Sequence, residues 1–314
     1  MSLDVTIAHR LGTFNLEAGF RSEGGLTALF GLSGSGKATV VNVIAGLVRP
    51  DRAHIEVDRD ILVDTSQNVF VPPHRRHLGY VFQEPRLFPH LTVRQNLLYG
   101  RWFRKSAERR TAFDQVVDVL GIAPLLHRRP AGLSGGEKQR VAVGRAWLAS
   151  PRLLLMDEPL SSLDAARKDE ILPYIERLRD ESRIPIVYVS HAIAEVARLA
   201  TQVVLLENGR VSSVGTVDEV LSHADALPLS ARNVMPAVVS EVREVGSGHS
   251  PTMDVRLDAR GDTLIARVTR HSVLALGIKP GRHVFAVIKA VAFDQPTRRP
   301  GAAPVRTNDG ILEV

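Results

Sequence analysis

The chain has 314 residues, of which 44% are hydrophobic, 24% are charged and none is cysteine, and its formal net charge is +6. This composition is typical of a folded globular protein and excludes disordered and fibrous classes, while the absence of cysteine excludes a disulfide framework and thiolate metal sites. The length is enough for a main domain of about 200–250 residues and a smaller second one.

Charge and hydropathy patterns exclude further classes. The arginines are scattered along the chain, so the positive charge does not by itself indicate nucleic-acid binding. No window approaches the ~20 apolar residues of a spanning helix, and the first residues, MSLDVTIAHRLG, lack the pattern of a signal peptide. We therefore expect a chain that is neither exported nor membrane-spanning.

Residues 26–47 predict a strand, a glycine-rich loop and a helix. The run LTALF is short and apolar, GLSGSGK follows it, and apolar residues then recur at helical spacing, at Val40, Val43, Ile44 and Leu47. Glycines let the backbone approach a phosphate closely, and a helix N-terminus attracts anions. We interpret this segment as a phosphate-binding P-loop, in which Lys37 adds a positive charge. The predicted nucleotide contacts are Gly31, Leu32, Ser33, Gly34, Ser35, Gly36, Lys37, Ala38 and Thr39.

The stretch between about residues 83 and 150 predicts a helical insertion, with helical patterns at 107–120 and 137–149. Within it, the sequence LSGGEKQR places Ser134, Gly135 and Gly136 just before a helical run. Small residues at this point are typical of a second anion-binding helix start. The alternative is an ordinary N-cap in which Glu137 completes a capping box.

Two further apolar runs, LLLM at 153–156 and IPIVYVS at 184–190, predict buried strands of a parallel sheet with helices on both faces. The first run ends in Asp157 and Glu158, and the second ends at His191. Open α/β sheets bind ligands at the carboxyl ends of their strands. We interpret Asp157 as a Mg²⁺ ligand and Glu158 as the general base that polarises an attacking water.

The last third of the chain changes character. Asn208-Gly209 between apolar runs predicts a hairpin, and a short helix near 217–223 closes the first domain, with the boundary near 224–229. Short alternating runs from residue 231 predict a small all-β domain, and the proline- and arginine-rich end predicts a disordered tail. The predicted division is 1–225, with a helical subdomain at about 84–150, then 230–293, and then the tail at 294–314.

Six motifs in this order resemble the ATPase subunit of an ABC transporter. They are GLSGSGK, Gln83 in YVFQEPRLFPHLTV, LSGGEKQR, LLLMDEP, SSLD at 161–164 and His191 in YVSH. Within that family, runs such as RLFPHLTVRQNLLYG and YVSHAIAEV are similar to those of molybdate-importer ATPases. The resemblance covers the first two thirds of the chain, and it implies the fold of an α/β P-loop NTPase with a mixed, mainly parallel sheet.

The resemblance also implies ATP and Mg²⁺ as cofactors, bound between two copies of the chain arranged head to tail. The P-loop of one copy and the Ser134-Gly135-Gly136 segment of the other, with Glu137, would sandwich ATP. Asp164 would span the interface, and Phe14 is the candidate residue for stacking on adenine. Gln83 would touch Mg²⁺ and the lytic water, and His191 would contact the γ-phosphate.

Partners and location are implied in the same way. Residues 84–98 would receive a membrane permease, and a periplasmic anion-binding protein would act through that permease. The chain would lie on the cytoplasmic face of the bacterial inner membrane, and nucleic acid is not expected as a partner.

The C-terminal segment resembles a small β-barrel oxyanion module of the TOBE or Mop type. A tetrahedral oxyanion would be held there by hydroxyl, amide and cationic groups. The candidate residues are Ser230, Arg232, Asn233 and Lys289. The segment is shorter than is usual in the family, and Ala290 stands where a serine is expected, so regulation by bound molybdate is not predicted. A strand start with a polar cap is the alternative.

Three functions are open at this point. The first is an ATP-hydrolysing subunit that energises uptake of an oxyanion, molybdate or tungstate. The second is an ATP-binding regulatory subunit that hydrolyses poorly, because Ala38 stands where the P-loop pattern has a metal-binding Ser or Thr. The third is a nucleic-acid-associated ABC ATPase, which the absence of a long coiled coil between the P-loop and LSGG disfavours.

The Ala38 position yields a direct prediction. Without a hydroxyl there, Mg²⁺ would depend on phosphate oxygens, Asp157, Gln83 and waters, and Thr39 points about 100° away around the helix. We expect Ala38→Thr to lower the Mg²⁺ concentration for half-maximal ATP hydrolysis by about tenfold and to raise the rate. A Mg²⁺ titration of ATP hydrolysis, with Glu158→Gln as the reference for lost turnover, measures this. Unchanged metal affinity and rate would show that the missing hydroxyl has no consequence.

Overall fold

A computed structural model of the chain describes residues 2–102, 111–182, 184–222, 234–244, 252–259, 261–269, 273 and 277–287. The chain divides into two compact units, Met1–Leu221 and Ser222–Val314. The predicted boundary at 224–229 and the predicted tail at 294–314 lie outside the described residues.

The described residues of the first unit form both strands and helices, and the described residues of the second unit form mainly strands. The strands are β1 Leu3–Leu11, β2 Phe14–Ser22, β3 Leu26–Phe30, β4 Arg52–Val57, β5 Asp60–Asp64, β6 Val69–Phe70, β7 Leu78–Val81, β8 Leu153–Asp157, β9 Ile186–Ser190, β10 Gln202–Glu207, β11 Arg210–Gly215, β12 Val234–Glu244, β13 Thr252–Ala259, β14 Asp262–Thr269 and β15 His283–Val287. The helices are α1 Lys37–Ala45, α2 Val93–Trp102, α3 Phe113–Val119, α4 Gly135–Leu148, α5 Ala165–Ser182, α6 Ile193–Leu199 and α7 Val217–Ser222.

A mixed eleven-stranded sheet forms the centre of the first unit, in the order β6-β5-β4-β1-β2-β11-β10-β3-β9-β8-β7. Strands β10, β3, β9, β8 and β7 are parallel neighbours. The strands from β6 to β2 pair antiparallel. Helices α1, α4 and α6 pack against the parallel strands, which confirms the predicted α/β architecture there.

Continuous apolar runs become strands that are buried along their whole length. Every residue of β3 and β9 is buried, as is every residue of β8 before Asp157. Their predicted positions are confirmed, although β9 begins at Ile186 rather than at residue 184. The predicted helix after the P-loop is α1, but it ends before Leu47, because Gly46 takes a left-handed conformation with φ +80°. Leu47 is instead exposed.

The insertion between β7 and β8 differs from its prediction. Helix α2 was not predicted, and α3 begins at Phe113 rather than at 107, while residues 103–110 lie outside the described part. The predicted run at 137–149 corresponds to α4. The hairpin at Asn208-Gly209 is confirmed, since both turn residues have positive φ and β10 pairs antiparallel with β11.

The second unit contains a four-stranded antiparallel sheet in the order β14-β13-β12-β15. Its alternating sequence puts one face into a small apolar core formed by Ala237, Val239, Val255, Leu257, Ala259 and Val273. The all-β prediction for this segment is confirmed for the described strands. In the part of the chain that the structure describes, no helix is long and apolar enough to cross a membrane.

A buried arginine fixes the end of α1. The Arg76 side chain is fully buried, and its guanidinium donates to the carbonyls of Val43 and Ile44 at 2.8 Å and to that of Val71 at 2.6 Å. Burial lowers the pKa of Arg76 to about 10, so the group stays charged at neutral pH. A Cβ at Gly46 would lie 2.6 Å from this guanidinium, which explains a glycine at that helix end.

We expect Arg76→Met to lower the free energy of unfolding by about 3 kcal/mol, because three buried carbonyls would lose a charged donor. Urea unfolding followed by circular dichroism measures the change. The neighbouring Arg75 is exposed, so Arg75→Met is the matched control and should leave the unfolding midpoint unchanged. Equal midpoints for the two variants would refute this role of Arg76.

Candidate functional site

The register of the parallel strands brings the predicted site segments to one edge of the sheet. The last paired residues are Phe30–Ser190, Asp157–Val189 and Val81–Met156. The loops that follow these strands therefore begin side by side. They carry the P-loop, His191, Glu158 and Gln83.

The P-loop is held in shape by close backbone contacts. Gly31 has φ +151°, and a Cβ there would lie 2.2 Å from the carbonyl oxygen of Leu206, so no other residue fits without a shift. The Gly209 N–H of the β10–β11 turn donates to the Ser35 carbonyl at 3.2 Å. Gly36 caps α1 in a left-handed conformation, and the first N–H groups of that helix face the loop without intrahelical acceptors.

The Lys37 ammonium lies inside this loop. It donates to the carbonyls of Gly31 at 2.8 Å and Leu32 at 2.6 Å, with the Ser35 hydroxyl at 3.4 Å, and the residue is 5% exposed. Burial lowers the pKa of Lys37, and the carboxylates of Glu158 and Asp157 oppose that shift. A cation is thus placed between the glycine loop and the two carboxylates.

Asp157 is oriented by a tyrosine from the neighbouring strand. The Tyr80 hydroxyl lies 3.3 Å from Asp157 Oδ2 and 3.1 Å from Asn42 Oδ1, so it links β7, β8 and α1. Burial raises the pKa of Asp157, and the charge of Glu158 adds to that rise, whereas the Tyr80 bond and Lys37 act in the opposite direction. This half-buried carboxylate therefore favours a bound cation.

Glu158 sits on a left-handed turn with φ +44°, an uncommon conformation for a residue with a side chain. Its N–H donates to the Val189 carbonyl at 3.1 Å, and its carbonyl accepts from the N–H and hydroxyl of Ser161 at 3.2 and 2.9 Å. The Glu158 carboxylate lies 3.3 Å from His191 Nδ1, and the imidazole is exposed. The structure thus places a carboxylate and an imidazole together beside the P-loop.

Gln83 is exposed in the loop after β7. The next part of this loop is tied to α4, because Arg145 donates to the carbonyls of Arg86 at 2.8 Å and Pro85 at 3.1 Å. The Arg145 guanidinium also lies over the Phe88 ring, 5.5 Å from its centroid. Gln83 therefore lies between the site edge and a loop that is anchored to α4, the helix that Ser134 caps.

The structure confirms a capping box at the start of α4. The Ser134 hydroxyl accepts from the Glu137 N–H at 3.2 Å, and the Glu137 carboxylate accepts from the Ser134 N–H at 2.7 Å. A Cβ at Gly136 would lie 3.0 Å from Ile171, so close packing also favours glycine there. The capping box that the sequence left open as an alternative is therefore present, and the helix start lies at the surface.

The other predicted site residues are placed as follows. Asp164 is exposed and caps α5, with its carboxylate accepting from the Arg167 N–H at 3.0 Å. Phe14 is half-buried, its ring lies 3.4 Å from the point where a Cβ of Gly36 would be, and it lines a surface cleft beside the β10–β11 turn. The proposed oxyanion residues lie outside the described residues; they are Ser230, Arg232, Asn233 and Lys289.

Three residues that hold the site segments in place were not predicted from the sequence. Tyr80, Ser161 and Arg145 each fix a predicted site segment by a hydrogen bond, and two of them bond across more than fifty residues of sequence. Ser161 lies in the motif SSLD, so a signal for its importance was present. Tyr80 lies in YVFQ, three residues before Gln83, but nothing in the sequence around it indicated that its hydroxyl contacts Asp157.

The profile of the ABC transporter family matches residues 19–161, and that of the TOBE domain matches residues 229–293. The Molybdenum import ATP-binding protein ModC of Mesorhizobium japonicum is 48% identical over 360 residues, which covers 94% of this chain and 96% of that protein. This chain belongs to the ABC transporter family. It is an ABC ATPase, and ATP is the nucleotide that it binds.

Further relatives and solved structures agree with this family. The protein of the same name from Rhizobium etli is 46% identical over 94% of this ABC ATPase and 100% of its own length. A dimeric ATP-binding cassette in a post-hydrolysis state, bound to ADP and Pi, is 26% identical with a TM-score of 0.54, covering 69% of this chain and 99% of that one. An ATP-binding subunit of an ABC transporter is 27% identical with a TM-score of 0.59, covering 73% and 95%.

The capping box makes the stability of this ABC ATPase depend on pH. Hydrogen bonding to the Ser134 N–H lowers the pKa of Glu137, so its stabilisation is complete above the ordinary pKa of glutamate and is lost as the pH falls through the lower pKa of the folded state. Glu137→Gln should therefore reduce the unfolding midpoint at pH 7 and converge with the parent protein in acid. Glu170→Gln, at an exposed site on α5, is the control. A difference that does not change with pH would contradict the cap.

Proposed function

We propose that this ABC ATPase energises the import of an oxyanion, molybdate or tungstate, through a separate membrane permease. The observation that carries the proposal is the similarity to proteins named Molybdenum import ATP-binding protein ModC, at 43–48% identity over 94–95% of the chain. The shared sheet edge with Lys37, Asp157, Glu158 and His191 supports an active hydrolytic site rather than a remnant.

ATP would bind with its phosphates along Gly31–Thr39. The Lys37 ammonium donates to two loop carbonyls, and its third N–H, which among the described residues has only the Ser35 hydroxyl at 3.4 Å, could contact a phosphate. The cleft beside Phe14 would take the adenine, by stacking on the half-buried ring. The second face of the nucleotide would be covered by the exposed Ser134 helix start of another copy, and Asp164 would contact that copy.

Glu158 would act as the general base. Its carboxylate is oriented by the backbone turn at Val189 and Ser161 and contacts His191, so it is fixed toward the site edge. Hydrolysis of a phosphoanhydride depends mainly on positioning and charge stabilisation. His191 would donate to the γ-phosphate, and Gln83 would hold the attacking water from the neighbouring strand end.

The residues present fit a bound Mg²⁺ in part. Asp157 and Gln83 offer oxygen donors, which suit a hard cation, whereas Ala38 offers none. Within the described residues, no group of three or more His, Cys, Asp or Glu side chains is placed to hold a metal by itself. The metal, when bound, neutralises charge on the phosphates, and phosphate oxygens and waters would complete its coordination.

The comparisons do not favour the second candidate function, which rests on Ala38 alone. A chain that binds ATP at this edge but turns it over slowly would act as a regulatory subunit. The two functions differ in turnover rate and share the same binding contacts, so one hydrolysis measurement separates them.

We place the chain at the cytoplasmic face of the bacterial inner membrane, where residues 84–98 would meet the permease. A periplasmic binding protein would deliver the anion on the other side. The proposed division is an ATPase domain at 1–225 that contains a helical subdomain, followed by an oxyanion-type domain at 230–293. The alignments with relatives run over more positions than this chain has residues, so those relatives carry segments that it lacks.

We expect the purified chain to hydrolyse ATP and Glu158→Gln to reduce kcat at least about 100-fold with little change in nucleotide affinity, because only the general base is removed. Release of phosphate and binding of a fluorescent ATP analogue measure the two quantities. Glu170→Gln is the matched control. Equal rates for Glu158→Gln and the parent protein would refute the assignment, and a very low parent rate with normal binding would favour the regulatory function.

Transport provides the test of the substrate. Expressed with its permease in cells lacking their own molybdate importer, the chain should restore uptake of labelled molybdate, and Glu158→Gln should not. Competition by tungstate but not by sulfate is expected. Uptake of sulfate alone would overturn the substrate assignment while leaving the ATPase assignment intact.

A further inference from the structure

A buried carboxylate outside the proposed catalytic set lies behind His191. Glu195 is 4% exposed, and three side chains donate to it. The hydroxyls of Tyr188 and Ser190 donate to Oε2 at 2.9 and 2.8 Å, and the Lys168 ammonium donates to Oε1 at 2.9 Å. Donors from three different side chains contact both oxygens of this carboxylate, so the Glu195 side chain is held in one orientation.

The Ser190 bond links Glu195 to the backbone on both sides of His191. Ser190 is the last residue of β9, and its hydroxyl donates to Glu195 while accepting from the Ala192 N–H at 3.0 Å. His191 lies between these two residues, with its imidazole exposed and next to Glu158. The direction of the imidazole therefore depends on a serine whose own hydroxyl is oriented by Glu195.

The third bond reaches the segment that carries Asp164. Lys168 lies in the first turn of α5, and its N–H donates to the carbonyl of Asp164 at 3.0 Å. Because Lys168 also binds Glu195, the start of α5 and the end of β9 meet at one carboxylate. Asp164 and His191 are thus connected through a series of polar contacts rather than through apolar packing alone.

We propose that Glu195 is a positioning residue for ATP hydrolysis. Its carboxylate holds His191 and the segment that carries Asp164 in fixed positions relative to each other. The inference rests on the proposed roles of His191 and Asp164. It adds a specific prediction, namely that removing the Lys168 bond disturbs turnover through His191, although Lys168 contacts neither ATP nor water in the proposed site.

The test is a steady-state ATPase measurement on Lys168→Met, a change at a partly exposed side chain that removes only one of the three bonds to Glu195. We expect kcat to fall about tenfold, because small displacements of a catalytic group are costly. The KM for ATP should stay within about twofold, since the P-loop contacts are unchanged. Lys168→Arg, which keeps the cation, should restore most of the rate. Glu195→Gln should be at least as severe as Lys168→Met.

The control is another ion pair between the same two helices. Arg198 on α6 binds Glu176 on α5 at 2.7 and 3.0 Å, away from His191 in sequence, and Arg198→Met should keep the parental rate. In a His191→Ala background, Lys168→Met should cause no further loss, because its effect passes through that imidazole.

Two results would overturn the positioning role alone. One is a parental rate in Lys168→Met. The other is a loss from Lys168→Met in the His191→Ala background that is as large as its loss in the parent protein. An equal loss in Arg198→Met would also overturn it, since loosened helix packing would then explain the effect. A parent protein without ATP turnover would overturn the proposed function and this inference with it.

Discussion

The parallel register of β7, β8, β9 and β3 is the constraint on which the site depends. With Asp157 beside Val189 and Phe30 beside Ser190, four strands end at one edge, and their loops carry the charged side chains. A slip of one residue would turn each side chain to the opposite face of the sheet. Apolar residues are buried along β3 and β9, so such a slip would also disrupt packing on both faces.

At this edge, backbone conformation sets the shape of the loops, and the charged side chains set which ligand they favour. Gly31 can pass the Leu206 carbonyl only because it has no side chain, and Glu158 keeps a left-handed conformation because Val189 and Ser161 bind its backbone. The same turns place one ammonium close to two carboxylates. Burial lowers the pKa of Lys37 and raises that of Asp157, and the attraction between these opposite charges opposes both shifts. A ligand that carries phosphate groups and a metal ion would pair with both kinds of charge, the phosphates with the ammonium and the metal ion with the carboxylates.

The sequence predicted features whose cause is local. Strand β3 was predicted because burial on both faces requires a continuous apolar run. The P-loop was predicted because a strand pattern precedes its glycines and a helix pattern follows them. Helix α2 was missed because its few buried positions include Asn96, whose amide binds the backbone at Phe88 and which hydrophobic periodicity does not register. The bonds from Tyr80 to Asp157 and from Arg145 to Pro85 join distant segments, so no local pattern indicates them.

The central claim is that this edge is half of a composite ATP site. Sedimentation equilibrium of Glu158→Gln with ATP and Mg²⁺ tests it most directly, because loss of the base should trap bound nucleotide before hydrolysis. The expected result is a particle of two chains holding two ATP molecules, which returns to single chains when ATP is removed. A single chain that binds ATP at saturating concentration, or a dimer that forms without nucleotide and is unaffected by it, would contradict this claim.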